Sequence, residues 1–317
     1  MGQRAAHLER RPRHSHRPHR RIPGKERTVN STPGTLPATT AEAFRLDGAR
    51  ALVTGASRGI GRAVALAFAD AGADLALSAR SEEALRDTAA EVTRRGRKAV
   101  PVPGDFTKAT AAGAVVDEAA AALGGLDVVV HNAGILPSGP DGAPRLAPLQ
   151  HTRQEDWDSV VTVNLNASAA LCRHAHPHLA ASPRANVVLM SSVAGAVGTP
   201  MMEAYAATKA AQISLARSLA AGWAREGIRV NALCPGWTRT DMTSFASHTA
   251  PLSDWLMAHV PLGRWAEPEE AAWAALYLAS PAAAFLTGQA LLLDGGLSVP
   301  DGGLAGIPKP ASPFAEV

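Results

Sequence analysis

The sequence predicts a single α/β domain in which a doubly wound parallel sheet of about seven strands carries helices on both faces. Short apolar segments alternate with segments of helical periodicity, and this alternation indicates parallel strands joined by crossover helices. A glycine-rich turn joins the first strand to the first helix, and 46% of the 317 residues are hydrophobic, which is enough for a large core. The domain is expected to span residues 46–299.

The predicted elements follow one another without an internal repeat. The first strand is the apolar segment 49–54, and the helix after it places Val64, Phe68 and Ala71 at helical spacing before Gly72 ends it. The further strands are expected at 75–78, 99–102, 126–130, 186–190, 228–233 and 290–293. The further helices are expected at 82–95, in an alanine-rich segment that ends at Leu123, and at 154–180, 202–226 and 268–279.

The N-terminal 28 residues account for the net positive charge of the chain. They hold nine Lys or Arg residues against two Glu residues, so residues 29–317 carry a net charge of −4 although the whole chain carries +3. We interpret residues 1–28 as a disordered extension, or as sequence upstream of the true start, because they contain almost nothing apolar. An arm that binds nucleic acid or anionic lipid, or a transit segment, is the disfavoured alternative. Residues 30–45 are interpreted as a linker and 300–317 as a C-terminal tail.

The cysteine count and the hydropathy indicate the compartment. Two cysteines, Cys172 and Cys234, are too few for a disulfide scaffold and indicate a reducing, cytoplasmic setting. No apolar run approaches the ~18 residues that a membrane span needs. The sequence predicts no metal site.

The segment Thr54–Gly61 reads TGASRGIG and lies where the first strand turns into the first helix. At such a turn glycines let the backbone approach a pyrophosphate, and the helix N-terminus faces its charge. The spacing Gly-x-x-x-Gly-x-Gly differs from the commoner Gly-x-Gly-x-x-Gly. A glycine-rich turn without a ligand is the alternative, and the position between strand and helix disfavours it.

Tyr205 and Lys209 are four residues apart in a segment rich in helix-forming residues, so they are expected on one helix face. A cation this close would favour the phenolate and lower the pKa of the tyrosine. Such a tyrosine suits a general acid/base that acts on an alcohol oxygen. Many helices carry this pair by chance, so the interpretation needs a hydride carrier elsewhere in the chain. The pair Ser191-Ser192 lies upstream, and strand alternation lets only one of the two face the site.

Together these motifs resemble those of the short-chain dehydrogenase/reductase superfamily. The matching segments occur in the superfamily's order over residues 46–299, and they are Thr54–Gly61, His131–Gly134, Asn164, Ser192, Tyr205 with Lys209, Pro235-Gly236, Thr287–Gln289 and Asp294–Gly296. The resemblance implies a Rossmann-type domain that transfers hydride between a nicotinamide cofactor and a ketone or secondary alcohol. It implies that Tyr205 moves the proton and that Lys209 also binds the nicotinamide ribose. Ser192, rather than Ser191, would polarise the carbonyl, and Asn164 would support a water relay to Lys209.

The resemblance also implies a set of cofactor contacts. They are Gly55, Ser57, Arg58, Gly59, Ile60, Gly61, Arg80, Asp105, Phe106, Asn132, Ala133, Gly134, Tyr205, Lys209, Pro235, Gly236, Thr238 and Thr240. His131 replaces the first asparagine of the usual Asn-Asn-Ala-Gly and puts the local hydrogen bonding in doubt. For Asp105, a turn or helix-cap role is the alternative.

The charges after the second strand predict NADP as the preferred cofactor, with NAD as the alternative. A carboxylate at the strand end would bind the ribose 2′-hydroxyl of NAD, but Ala79 stands there. Arg80 follows it and Arg58 lies in the glycine turn, so two arginines without a neighbouring acid are expected to pair the 2′-phosphate of NADP. The alternative is that both are surface arginines that play no part in the choice of cofactor.

The resemblance leaves the substrate open. Sugar-acid and polyol dehydrogenases such as gluconate 5-dehydrogenase are most similar, notably in Phe44–Gly48, and reductases of 3-oxoacyl thioesters are the alternative. Few charges near the predicted pocket favour a small polar or moderately apolar carbonyl or alcohol substrate. A non-catalytic dinucleotide sensor, which is the alternative from another class, would show a damaged set of catalytic residues.

Three further expectations concern the surroundings of the site. Residues 240–265 are interpreted as a flap over the substrate or as plain core, and 136–150 as a pocket rim or a solvent loop. The resemblance implies a homo-oligomer, usually a tetramer packed through the helices at 154–180 and 202–226.

Overall fold

A computed structural model of the chain describes residues 36–139, 142–300, 311 and 313. Seven strands form one sheet in the order β3-β2-β1-β4-β5-β6-β7, and every neighbouring pair is parallel. The strands are β1 (Arg50–Thr54), β2 (Asp74–Ser78), β3 (Ala99–Pro101), β4 (Val128–His131), β5 (Asn186–Met190), β6 (Arg229–Pro235) and β7 (Ala290–Leu293). The predicted fold class, a Rossmann-type doubly wound α/β sheet, is confirmed.

Ten α-helices lie within the described residues. They are α1 (Thr40–Ala43), α2 (Gly59–Asp70), α3 (Glu82–Arg94), α4 (Ala111–Leu123), α5 (Gln154–Val160), α6 (Ala167–Ala180), α7 (Glu203–Trp223), α8 (Ser244–Ser247), α9 (Ala250–Met257) and α10 (Pro268–Ala279). Short 3-10 turns occur at Leu149–His151, Val193–Gly195, Ala224–Glu226, Asp241–Thr243 and Pro281–Ala283. Within the described ranges, no helix is long and apolar enough to cross a membrane.

The core consists of two apolar layers, one on each face of the sheet. Successive strand side chains point to opposite faces, so Leu52 of β1 packs with Val115 of α4 and Leu171 of α6. Its neighbour Val53 joins the other layer, which contains Phe68 of α2. Because both faces are covered, β1 is a continuous apolar run rather than an alternating one.

The long helix predicted over 154–180 is interrupted. A π-helical turn at Val161–Asn166 separates α5 from α6. Inside this turn the Asn164 carbonyl accepts hydrogen bonds from the Ser168 hydroxyl at 2.6 Å and from the Gln212 side chain at 3.0 Å. Single π turns inside α-helices are frequent at functional sites, and this one contains Asn164, a residue implied in catalysis.

Part of the segment interpreted as a linker is helical. The helix α1 is one turn long, and Thr39 and Glu42 form a reciprocal capping box at its N-terminus. The predicted extension 1–28 lies outside the described residues, and so does nearly all of the tail 300–317. Both cysteines are free thiols in the core.

A buried carboxylate ties β1 to β4 at the end of the sheet remote from the site. Asp127 accepts hydrogen bonds from the Arg50 backbone N–H, from the Arg50 guanidinium at 2.7 and 2.9 Å, and from the Ser182 hydroxyl at 2.7 Å. Burial alone would raise the pKa of Asp127, but these hydrogen bonds outweigh it and lower the pKa. The stabilisation is therefore present above the ordinary carboxyl pKa of about 3.9 and is lost as the pH falls through the lower folded value.

We expect Asp127→Asn to lower the free energy of unfolding by about 2 kcal/mol at pH 7, because it removes charge-assisted hydrogen bonds. Urea unfolding followed by circular dichroism measures the change. Asp70→Asn is the control, since Asp70 pairs with Arg95 at the surface with a mostly exposed side chain and should matter much less. The difference between wild type and Asp127→Asn should shrink below about pH 4. Equal stability of the two proteins at pH 7 would contradict the assigned role.

Candidate active site

The carboxyl ends of β1, β4, β5 and β6 open into one cleft of about 1460 Å³. It is larger than the roughly 300–1,000 Å³ of most small-molecule pockets. The sheet order reverses between β1 and β4, which is where open α/β sheets bind ligands. The predicted residues that line the cleft are Gly55, Ser57, Arg58, Gly59, Ile60, Arg80, Asp105, Phe106, Asn132, Ala133, Gly134, Ser192, Tyr205, Lys209, Pro235, Gly236, Thr238 and Thr240. Gly61 and Asn164 lie behind this lining.

The glycine turn is shaped so that only glycine fits at its key positions. Gly55 has a φ of +67°, and a Cβ there would lie 2.8 Å from the Asn132 side-chain nitrogen. A Cβ on Gly61 would overlap the carbonyl oxygen of Gly55. Arg58 precedes α2 without making a side-chain capping bond, so the first N–H groups of this helix face the cleft uncapped. A backbone cradle at an uncapped helix N-terminus suits a pyrophosphate.

The end of β4 is held against the glycine turn by Thr54. The Thr54 hydroxyl accepts the backbone N–H groups of Asn132 and Ala133, each at 3.1 Å. Its own hydrogen therefore goes to His131 Nδ1 at 2.9 Å, which leaves the imidazole hydrogen on Nε2. Asn132 in turn donates to the carbonyl of Gly55 at 3.2 Å.

His131 is compatible with this network although it departs from the usual sequence. Its ring is fully buried and meets Phe106 edge-on with 5.8 Å between centroids. Burial, together with the charge of Lys209, lowers the pKa of His131 to about 3. The imidazole is therefore neutral, and it keeps a hydrogen bond at the position where an asparagine would stand.

Tyr205 and Lys209 lie side by side on α7, with the Lys209 ammonium 5.4 Å from the centre of the tyrosine ring. The Ser192 hydroxyl lies close enough to the Tyr205 phenol to lower the pKa of Tyr205. The Ser191 hydroxyl instead donates to the backbone carbonyl of Lys209 at 2.7 Å. Of the serine pair, Ser192 is thus the residue whose hydroxyl meets the tyrosine.

The expectation that Lys209 lowers the Tyr205 pKa is wrong. Burial raises the pKa of Tyr205 to about 12, and only the Ser192 hydrogen bond opposes this shift. Burial also lowers the pKa of Lys209, to about 8. The ammonium is directed elsewhere, since it donates to the Met190 carbonyl at 2.7 Å and to the Gln212 side-chain oxygen at 3.1 Å.

Asn164 is connected to Lys209 through a residue that the sequence reasoning missed. Its side chain bonds the backbone of Ile135 in both directions, at 2.8 and 3.0 Å. Its carbonyl accepts from Gln212, which accepts from Lys209. Gln212 is fully buried and lies three residues after Lys209 on the same helix face. The sequence did contain a signal for Gln212, which is a polar residue three positions after Lys209 on the predicted helix.

The cofactor-contact residues at the two ends of the cleft have partners that local sequence does not show. Arg58 pairs with Asp241 at 3.0 Å, so the expectation that Arg58 has no acid beside it is wrong. Asp241 is distant in sequence, and it begins the 3-10 turn in the chain after β6. Hydrogen bonds from Thr107 lower the pKa of Asp105, with a contribution from the charge of Arg80, so the turn role foreseen for Asp105 is present.

Residues 240–265, interpreted as a flap or as plain core, contain residues of both kinds. Met242 and Phe245 line the cleft. Leu256 is buried in a small separate cluster with Ala246 and Trp265. In the loop at 136–150, Leu136 and Ala143 line the cleft, so this loop forms part of its rim.

Comparison with known proteins agrees with this geometry. The family described as Enoyl-(Acyl carrier protein) reductase matches residues 55–298. Gluconate 5-dehydrogenase of Gluconobacter oxydans is 37% identical over 81% of this chain and 97% of its own. A 3-oxoacyl-acyl-carrier-protein reductase of Thermotoga maritima is 35% identical over 81% of this chain and all of its own. The chain belongs to the short-chain dehydrogenase/reductase superfamily.

The similarity extends to solved three-dimensional structures. A gluconate 5-dehydrogenase from Burkholderia cenocepacia, in complex with NADP and tartrate, superimposes with a TM-score of 0.77 at 35% identity. The match covers 83% of this chain and all of the other. The relatives are oxidoreductases, and the bound NADP supports a nicotinamide dinucleotide as the cofactor class for this fold.

We expect Gly61→Ala to abolish NADPH binding, because its methyl group would displace the Gly55 carbonyl and open the cradle. Titration by NADPH fluorescence measures binding, and circular dichroism checks that the variant folds. Gly222→Ala is the matched control, since a Cβ at Gly222 meets nothing within 4 Å and alanine favours its helix. Normal NADPH affinity in folded Gly61→Ala would contradict the cradle.

Proposed function

We propose that the protein is an NADP-dependent oxidoreductase that interconverts a ketone and a secondary alcohol, with Tyr205 as general acid and base. One observation carries this proposal. The Tyr205 side chain lines the same cleft as Ser192 and the uncapped N-terminus of α2, and it lies beside Lys209. A non-catalytic dinucleotide sensor would not need this arrangement of proton donor, hydroxyl and cation.

The residues along the cleft suit a dinucleotide in an extended form. The glycine turn and the N-terminus of α2 would hold the pyrophosphate, while Asp105 and Asn132 would face the adenosine side. Thr238 and Thr240 would contact the nicotinamide side, and Lys209 would bind the ribose beside it. When bound, NADP(H) supplies or accepts the hydride.

Tyr205 would handle the proton that accompanies the hydride. With a pKa of about 12, its phenol is protonated at neutral pH and is ready to donate to the ketone oxygen as negative charge develops there. The Ser192 hydroxyl would hydrogen-bond the same oxygen and stabilise that charge. Alcohol oxidation needs the reverse transfer and therefore the phenolate, which the high pKa disfavours at neutral pH.

The two directions of the reaction are therefore expected to differ in pH dependence. With a panel of ketones and NADPH, kcat/KM for reduction should be high near neutral pH and should fall above about pH 8 as Lys209 loses its charge. With the matching alcohols and NADP, kcat/KM for oxidation should rise from neutral to alkaline pH as the phenolate forms. Absorbance at the NADPH band measures both.

Circular dichroism at each pH is the control for unfolding. Absence of turnover with every ketone and alcohol of the panel would refute the proposed function. Oxidation that is fastest at acidic pH would instead refute the role of Tyr205.

The preference for NADP is proposed from the two arginines of the cleft. Arg80 lines the cleft next to Ala79, and Ala79 stands directly after β2, where a carboxylate would select NAD. Arg58 lies across the cleft mouth in an exposed pair with Asp241, and exposed pairs are worth little. A 2′-phosphate with nearly two negative charges is a stronger partner for Arg58 than one carboxylate.

We expect Arg80→Asp to weaken NADPH binding by about tenfold or more, because it replaces a cation with an acid at the 2′-phosphate. Binding of NADH should be retained or improved. Fluorescence titration with both cofactors measures the ratio. Arg86→Asp is the control, because Arg86 is exposed on α3 and does not line the cleft. An unchanged NADPH/NADH ratio in Arg80→Asp would overturn the assignment.

Two further parts of the proposal concern the setting of the enzyme. A homo-oligomer packed through α5, α6 and α7 and a cytoplasmic location stay predictions. Size-exclusion chromatography with light scattering tests the first, and fractionation of cells tests the second.

A further inference from the structure

The part of the cleft beyond Tyr205, which we call the substrate end, is built from three segments. They are the loop after β4, the helix α5 with its π turn, and the chain after β6. About half of its lining side chains are apolar, namely Leu136, Ala143, Pro144, Val163, Met242 and Phe245. The polar ones are Ser138, Asp156, Ser159, Asp241, Thr243 and Ser244. An alcohol or ketone bound against Tyr205 must place the rest of its skeleton here.

Three serine hydroxyls line the substrate end, and all three are already used as donors. The Ser244 hydroxyl donates to the carbonyl of Asp241 at 2.8 Å. The Ser138 hydroxyl donates to the carbonyl of Leu136 at 3.1 Å, and the Ser159 hydroxyl donates to the carbonyl of Asp156 at 2.9 Å. A hydroxyl has one hydrogen to donate and lone pairs that accept. Toward a ligand these serines therefore present acceptors, which suit an O–H or N–H group and do not suit a carboxylate.

Among the described residues, the charged groups that line the substrate end are two acids, Asp156 and Asp241, and Asp241 is paired with Arg58. Asp156 lies deeper, on α5. Its carboxylate accepts from one nitrogen of Arg145 at 2.9 and 3.0 Å. Arg145 does not line the cleft. It lies on the other side of Asp156, against a separate cavity of about 70 Å³.

In the part of the chain that the structure describes, no cation lines the cleft from the loop after β4 or from α5, and Arg58 reaches the chain after β6 only through its exposed pair with Asp241. Arg58 and Arg80 line the part that the glycine turn and β2 form. Lys209 is buried beneath Tyr205, and its ammonium bonds Met190 and Gln212. A ligand carboxylate at the substrate end would lose its hydration without gaining a cation, and it would face the Asp156 carboxylate.

We propose that this site takes uncharged ketones and secondary alcohols with an apolar or moderately polar skeleton and discriminates against carboxylates such as gluconate. This inference rests on the proposed function and narrows its substrate class. It implies that this chain differs in substrate from its relatives named gluconate 5-dehydrogenase, although it shares their fold.

The test uses matched pairs in which a carboxylate is replaced by its isosteric carboxamide. Suitable pairs are acetoacetate with acetoacetamide, and 4-oxocyclohexanecarboxylate with its amide, each assayed for NADPH oxidation at pH 7. We expect kcat/KM to be higher for each amide by at least about tenfold. Salt should reduce the difference, because the discrimination is electrostatic.

The outcomes of these assays test this inference and the proposed function separately. Turnover that favours the carboxylates, or treats both members alike, would overturn this inference and leave the proposed function standing. Failure of every compound to be turned over would overturn both. Turnover of the amides alone supports both.

A gain-of-function variant tests the same point from the opposite direction. Met242 lines the cleft and is 37% exposed, so an arginine can be placed there without burying a charge. We expect Met242→Arg to raise the carboxylate/amide ratio of kcat/KM by about fivefold. Met242→Gln, of similar length and without charge, should leave that ratio as in wild type. Equal ratios in Met242→Arg and Met242→Gln would count against a charge-based selection.

Discussion

The hydroxyl group of Thr54 joins the ends of β1 and β4, and the geometry of the cofactor cradle depends on this junction. By accepting the N–H groups of Asn132 and Ala133, it fixes the path of the chain leaving β4. That path places the Asn132 amide on the Gly55 carbonyl, where it supports the glycine turn. The same hydroxyl donates to His131, so a neutral imidazole completes the junction where the usual sequence has asparagine.

Charge is distributed along the cleft in an order that matches the proposed chemistry. Arginines stand where an anionic dinucleotide would lie, and a buried lysine held by Gln212 stands at the centre. Beyond Tyr205 the charge of Asp156 is already paired with Arg145. The two ends of one cleft are therefore suited to different ligands, a polyanion at one end and an uncharged carbonyl compound at the other.

The alternation of strands and helices and the glycine turn were predictable because each depends on residues close in sequence. The same holds for the shared face of Tyr205 and Lys209. What could not be predicted depends on contacts between distant segments. Asp241 reaches Arg58 from the chain after β6, and Gln212 of α7 donates to the Asn164 carbonyl inside the π turn at Val161–Asn166. The high pKa of Tyr205 follows from burial, which spacing alone does not reveal.

The central claim is that Tyr205 transfers the proton in a hydride-transfer reaction, and Tyr205→Phe tests it most directly. This variant removes the hydroxyl and keeps the ring on α7. We expect NADPH to bind within about twofold of the wild-type affinity, while kcat for ketone reduction falls by about 10² to 10⁴. Unchanged turnover in Tyr205→Phe, with NADPH bound normally, would contradict the account.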